Sequence, residues 1–526
     1  MILKSHYDSV VIGSGHNGLV AAAYLAKAGQ SVLVLERNDY LGGATASQQV
    51  FPDYDAWLSR YSYLISLLPD QIVSQLGLKF ETKRRTTASF TPYKDPHGIE
   101  RGLVLSNVDP NRSREAVLAL TGRQQDWDDY QKFLALEAAL AQIAWPTMLE
   151  PLKSRTDFVS QLKTAVQKEA WQAFVEQPLG QAIERYIHND VLRGLILTDA
   201  KIGVFTHPND PSLIQNRCFV YHIIGGGTGE WRVPVGGMRS LVDELVHCCK
   251  SHGVHFLDHA TATSIQSDKT NRTVGFTMRE NQFSIDTTNV LVNAGPKTFA
   301  KLMGQDWQPI ATDEGSVIKI NILLKRLPKV KAKDVSPEEA FAGSFHIDEG
   351  YQQMQTSFQM AAKGIIPDPA PGEIYCHTLT DPSILSPELQ AAGYHTLTLF
   401  GLDMPYRLFT EDHDNRKSQV LKYYLEGLDR ICDEPFLDCV ARDRYDQPCI
   451  EIKSPQDIEH EVDLDQGNIF HNSLSWFFTD DPTQVGTWGV ETQFPHIYRA
   501  GSSAQRGGAV SGVPGHNAAM CILKKT

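Results

Sequence analysis

The sequence predicts a two-domain α/β protein with one discontinuous domain, and three observations predict it. The first is a strand, glycine turn, helix and second strand packed into the opening 36 residues. The second is a strand, glycine-rich loop and helix over residues 496–524, at the other end of the chain. The third is length: 526 residues exceed what one ordinary hydrophobic core holds.

Residues 8–12 (Asp-Ser-Val-Val-Ile) read as a short buried strand, and Gly13-Ser14-Gly15-His16-Asn17-Gly18 follows at once. Residues 19–28 read as a helix stopped by Gly29, and residues 31–35 as a second apolar strand ending at Glu36. Gly13 permits the tight turn, Gly15 lets the backbone approach a pyrophosphate, and Gly18 lets the helix pack closely on the sheet. The helix start offers free N–H groups and a partial positive charge to phosphates. Glu36, eighteen residues past Gly18, is placed to accept from a ribose diol. A lone glycine turn says little, but strand, turn, helix, strand and acid together form a dinucleotide-binding Rossmann fingerprint.

The next stretch narrows the cofactor. Arg37 and then Gly42-Gly43-Ala44 follow the ribose acid, and paired glycines let backbone amides reach a ligand. This stretch resembles the signature of glutathione-reductase-type flavoproteins, where the loop runs beside the FAD pyrophosphate. At the carboxyl end, residues 496–501 read as a strand ending in Gly501, residues 507–515 as a small-residue loop, and residues 516–524 as a helix. Ser511, Gly512 and Val513 would then present a helix start to the cofactor. No second G-x-G-x-x-G is present, because Glu230 stands where residues 224–230 would need a glycine. No C-x-x-C pair is present either, so a two-nucleotide disulfide reductase is not expected, and neither is a metal.

Four blocks resemble the phytoene-desaturase-like FAD oxidoreductases, in the branch with the desaturase-type β-carotene ketolase and the pyridine nucleotide-disulphide oxidoreductase domain-containing proteins. They are residues 7–45, 63–78, 229–256 and 498–519, the third carrying Gly229-Glu230-Trp231-Arg232-Val233-Pro234 and the fourth Gly507-Gly508-Ala509-Val510-Ser511-Gly512-Val513-Pro514-Gly515. The resemblance implies a glutathione-reductase-type FAD-binding Rossmann domain, discontinuous, with an interleaved α+β substrate domain. It also implies redox chemistry on largely apolar, polyene or isoprenoid-like substrates: desaturation, saturation, isomerisation or ketolation. The chain departs from the family's Thr-His-Pro-Gly-Gly run, having Ser503-Ala504-Gln505-Arg506-Gly507-Gly508 instead.

On this reading residues 1–78, 223–300 and 461–526 form the FAD domain. Residues 79–222, read largely as helix (126–144, 153–170, 180–197), and residues 301–460 form the substrate domain. Strands are expected at 253–257, 263–265, 273–278, 290–293, 316–324 and 396–402, and helices at 240–252 and 416–432. Residues 133–149 read as a core helix or as a segment lying on lipid.

Composition bounds the partners. With 42% hydrophobic and 21% charged residues the chain is globular. A net charge of −13 with no basic stripe argues against nucleic acid as a partner. Eight cysteines without disulfide spacing and no leader before the first strand point to a reducing, cytoplasmic setting. Peripheral membrane contact stays open. The expected partners are an apolar small-molecule substrate and an electron acceptor such as oxygen or a quinone.

Flavin chemistry needs little from side chains beyond positioning and exclusion of water. The catalytic candidates are His471, which precedes the last FAD block, and Arg506, which lies within it. Lys319, Tyr221, His222, Trp476 and Phe477 rank lower. An amine oxidase and a non-catalytic binder resembling GDP-dissociation inhibitors are the alternatives.

Overall fold

The computed structural model describes residues 4–268 and 271–524. Two seven-stranded sheets organise them. The first is built on β1 (His6–Ile12), which runs parallel to β2 (Val32–Leu35) on one side and to the long strand Asn281–Val292 on the other. His255–Leu257 adds beyond β2, and Ile497–Arg499 pairs in parallel with the end of Asn281–Val292. Ala260–Ser267 and Arg272–Met278 continue the sheet antiparallel.

Val10, Val11, Ile12 and all of β2 are buried without alternation. Such runs belong to parallel strands covered on both faces. α1 (His16–Lys27) is buried from His16 through Ala26. Its Ala21-Ala22-Ala23 run lets it lie close between the sheet and the C-terminal helix Val513–Leu523, in one shared core. Pro514 sits in the first turn of that helix, so the helix starts three residues ahead of the expected 516.

The second sheet runs in the order Ile450–Lys453, Ile318–Leu324, His395–Gly401, Gly372–Tyr375, Ser344–Ile347, Thr87–Lys94, Glu100–Ser106. One face is apolar: Ile318, Ile320, Leu399, Ile374 and Phe345 pack with Val420, Tyr424 and Leu428 of helix His413–Ile431. The opposite face is polar yet buried. Lys319, Phe400, Glu373 and His346 stand in register across four neighbouring strands. The chain enters the first sheet, passes to the second, returns to the first over 255–292, enters the second again over 318–453, and closes in the first at 497–499.

The segment expected to be mostly helical, 79–222, opens with two strands of the second sheet before its helices begin at Pro110. The expected helix 153–170 is two helices, Arg155–Gln161 and Ala165–Trp171, because Thr164 caps the second in a capping box with Gln167. The expected helix 180–197 also divides, into Leu179–Tyr186 and Asp190–Thr198. There the Asn189 side chain accepts from the amides of Val191 and Leu192. Helix Gln124–Ala144 buries Phe133, Leu136, Leu140 and Ala141 in the helical core, with Met148 just beyond it. Among the described residues no helix is long and apolar enough to cross a membrane.

Candidate functional site

A cavity of about 420 Å³ is walled by both sheets and by the helical segment. At one end its wall is the β1–α1 turn. Gly13 has φ +94°, and a Cβ there would lie 2.5 Å from the Asn293 carbonyl oxygen. A Cβ on Gly18 would lie 2.3 Å from the Gly13 carbonyl oxygen. Neither position admits a side chain, so both glycines are set by packing. Asn293 fixes the turn from the neighbouring strand end, its Nδ2 donating to the carbonyls of Gly13 (3.1 Å) and Gly15 (3.3 Å).

Glu36, at the end of β2, is buried against this turn. Its Oε2 accepts from the Ser14 amide (2.9 Å) and hydroxyl (2.6 Å), and its Oε1 from the Asn38 amide (2.9 Å). A carboxylate offers about four acceptor positions, so capacity remains towards the cavity. Arg37, Gly42, Gly43 and Ala44 continue the wall, with Gly42 at φ +109° beside Val242.

His16 joins the two chain ends. Its Nδ1 pairs with the Thr45 hydroxyl at 2.8 Å, and its Nε2 accepts from the Ser511 amide at 3.3 Å. Burial, aided by the neighbouring His471, pushes its pKa down to about 4. The C-terminal loop is strained there, with Arg506 at φ +61° and Ala509 at φ +53°. Asn17 Oδ1, beside this loop in α1's first turn, is buried with no protein donor.

The far end of the cavity is aromatic and ionisable. Tyr63 packs on Tyr375 (4.5 Å between centroids) and on Phe400 (5.2 Å). Lys319 Nζ lies 3.9 Å from the Tyr63 ring centre and 4.5 Å from that of Phe400, with no hydrogen-bond acceptor. Burial takes its pKa well below the ordinary lysine range. Arg85, Asp199, His222, Trp231 and Glu373 complete this end. Burial raises Asp199, and burial with the nearby Glu349 carboxylate pushes Glu373 up to about 8.

The structure sorts the residues picked from sequence. Gly13, Gly15, Glu36, Arg37, Gly42, Gly43, Ala44 and His471 line the cavity. Gly18, Gly501, Ser511, Gly512 and Val513 stand just behind the wall. A Cβ on Gly501 would meet Asn293 Oδ1 at 2.8 Å, and Ser511 Oγ accepts from the Val513 amide. The residues that reach the cavity from this side are Ser502, Ala509 and Val510. His471 has φ +69° and a buried Nδ1 without a partner, and burial lowers its pKa to about 4.

Arg506 is a correction. Its side chain is fully buried and is absent from the cavity wall. Nη1 donates to the carbonyls of Thr147 and Glu150 (2.7 Å each) and Nη2 to that of Trp488 (3.1 Å). The guanidinium clamps backbone and touches no cavity. Phe477 is likewise core, edge-on to Phe158 at 4.9 Å.

His16, Asn293, Asp199, Arg85, Glu373 and Tyr375 were not picked from sequence. For His16 and Asn293 a signal existed: each is a polar residue just past the carboxyl end of a parallel strand.

Residues 11–70 match the NAD(P)-binding Rossmann-like domain family. Cyclohexylamine oxidase from Brevibacterium oxydans IH-35A shares the fold, with a TM-score of 0.57 at 14% identity over 99% of both chains. Pyridine nucleotide-disulfide oxidoreductase domain-containing protein 2 of Rattus norvegicus is 28% identical over 99% of this chain and 94% of its own. The uncharacterized protein Rv0897c of Mycobacterium tuberculosis (strain ATCC 25618 / H37Rv) is 41% identical over 98% of this chain and 97% of its own. At that identity over nearly the whole of both chains, this α/β protein with its Rossmann domain belongs to the same family as the mycobacterial Rv0897c.

Proposed function

We propose that the chain is an FAD-dependent oxidoreductase of the phytoene-desaturase-like type. In this reading hydride passes between flavin N5 and a carbon of a substrate with a largely apolar body. One observation carries the reading: the two chain ends close one cavity, with a side-chain-free glycine turn at one end and an aromatic chamber at the other. The residues fit a dinucleotide. The Gly13–Gly15 turn and the first-turn amides of α1 would hold the pyrophosphate. Glu36 would accept from the ribose diol, and Gly42, Gly43 and Ala44 would let the backbone run alongside. Ser502, Ala509 and Val510 would face the flavin end.

When bound, the flavin supplies the two-electron chemistry. The chain supplies position and dryness. The rings of Tyr63, Tyr375, Phe400 and Trp231 would hold the substrate body. His471, kept neutral by burial, offers an acceptor without adding charge. The helical segment closes the chamber through Ile202 and His222.

The test is the absorbance spectrum of purified protein after incubation with FAD and removal of the excess. The near-ultraviolet and blue bands of oxidised flavin are expected. A colourless product would remove the reading.

A further inference from the structure

A sheet whose strands alternate apolar and polar residues normally turns the polar face to water. Here the polar face of the second sheet turns inward. Its central row is Lys319, Phe400, Glu373 and His346, and the parallel row below holds Asn321, Thr398 and Tyr375. Each of these seven is buried. Buried polar groups are normally paired. His346 is paired with Glu349, which also accepts from the Thr198 hydroxyl, and Thr398 donates to Asn321. Lys319 and Glu373 are the exceptions, and Glu373 stands in the middle of the face. It is 2% exposed, it lines the cavity, and its Oε1 has no partner.

We propose that Glu373 exchanges a proton with the substrate, and that the substrate offers it an N–H or O–H group, an amine or a hydroxyl, on the reacting carbon. The proposal rests on the flavin reading above and narrows its substrate: an apolar body with one polar head. In the oxidative direction the substrate's C–H bond breaks and its hydride, with both electrons, goes to the flavin as two-electron acceptor. The N–H or O–H bond breaks and its proton goes to Glu373 Oε1. The carbon–heteroatom double bond forms, so the substrate is oxidised and the flavin reduced. In the reverse direction the same carboxyl gives the proton back.

The surroundings suit that role. Glu349 and His346 face Glu373 from the neighbouring strand and its end, Tyr375 from its own strand, Lys319 from the strand beyond Phe400, Tyr63 from its place on the Tyr375 ring, Asp199 from the end of helix Asp190–Thr198, and Arg85 from the loop beside Tyr375. Burial and Glu349 hold the proton on, while His346 and the Tyr375 hydroxyl pull the other way. The balance places Glu373 near 8, where a carboxyl both gives and takes a proton near neutral pH.

The test uses the FAD-loaded protein and two variants, Glu373→Gln and Tyr375→Phe. Infrared difference titration should show a protonated carboxyl that ionises near pH 8. That signal should vanish in Glu373→Gln and move to higher pH in Tyr375→Phe, which loses a hydrogen bond to the carboxylate. In parallel, a primary amine, a primary alcohol and a hydrocarbon of equal chain length are titrated against the flavin absorbance. The amine or the alcohol should bind at least about tenfold more tightly than the hydrocarbon, and Glu373→Gln should erase the difference. Which of the two wins identifies the head group. A coloured protein that binds all three alike, or whose Glu373 ionises near the ordinary value of about 4.3, would end this proposal alone. A colourless protein would end the flavin reading beneath it.

Discussion

His16 is the side chain through which the nucleotide turn feels pH. It is buried, bonded on both ring nitrogens, and its pKa falls from 6.5 to about 4. A histidine depressed in the folded state is neutral there while the unfolded chain takes up a proton. Its stabilising contribution is therefore complete above about pH 6.5 and is lost as pH falls towards 4. The slope is up to about 1.4 kcal/mol per pH unit for this one group. His16→Gln keeps a polar side chain and removes the titration. Denaturant unfolding at pH 5 and pH 7 should show the wild type losing more stability on acidification than the variant. Equal losses would place the acid sensitivity elsewhere. Lys319 carries the same sign, a second base whose charge burial disfavours. Its amine has two ring faces and no acceptor, so the cost of burying its charge exceeds what the rings return.

At the scale of elements, the Arg506 clamp ties the turn after helix Gln124–Ala144 to the loop at Trp488. Arg506→Met keeps much of the volume and leaves three carbonyls, those of Thr147, Glu150 and Trp488, without this donor. A stability loss of about 3 kcal/mol or more is expected from denaturant unfolding. Flavin content per folded molecule should stay unchanged, since the side chain is not on the cavity wall. The same residue shows what could be read from sequence. Its place in the last glycine block was legible, but its direction was not. The strand Ile318–Leu324 was legible too, from the alternation in Ile318-Lys319-Ile320-Asn321-Ile322. That pattern gives two faces and cannot say whether the polar one meets water or a chamber. Glu373, Tyr375 and His346 lie on two other short strands, and only strand pairing sets them beside Lys319. Strands Thr87–Lys94 and Glu100–Ser106 escaped because Pro92 and flanking charges mask their period. By contrast the nucleotide turn is contiguous, and each of its glycines answers to a local steric demand.

On the scale of the whole molecule, the cavity binds regions distant in sequence into one unit. Residues 13–45, 293–302, 458–471 and 502–510 all contribute wall. A ligand seated there binds the folded chain only, so FAD at one hundred times its Kd should raise stability by about 2.7 kcal/mol. Hydrogen exchange with and without FAD should show slowing together at residues 13–18 and 509–513. Protection confined to the amino-terminal turn would mean that the C-terminal loop takes no part. The contact between His16 and the Ser511 amide spans 495 positions. Residue 511 must therefore be made before the grip can close. Until then the nascent polypeptide carries a half-built seat.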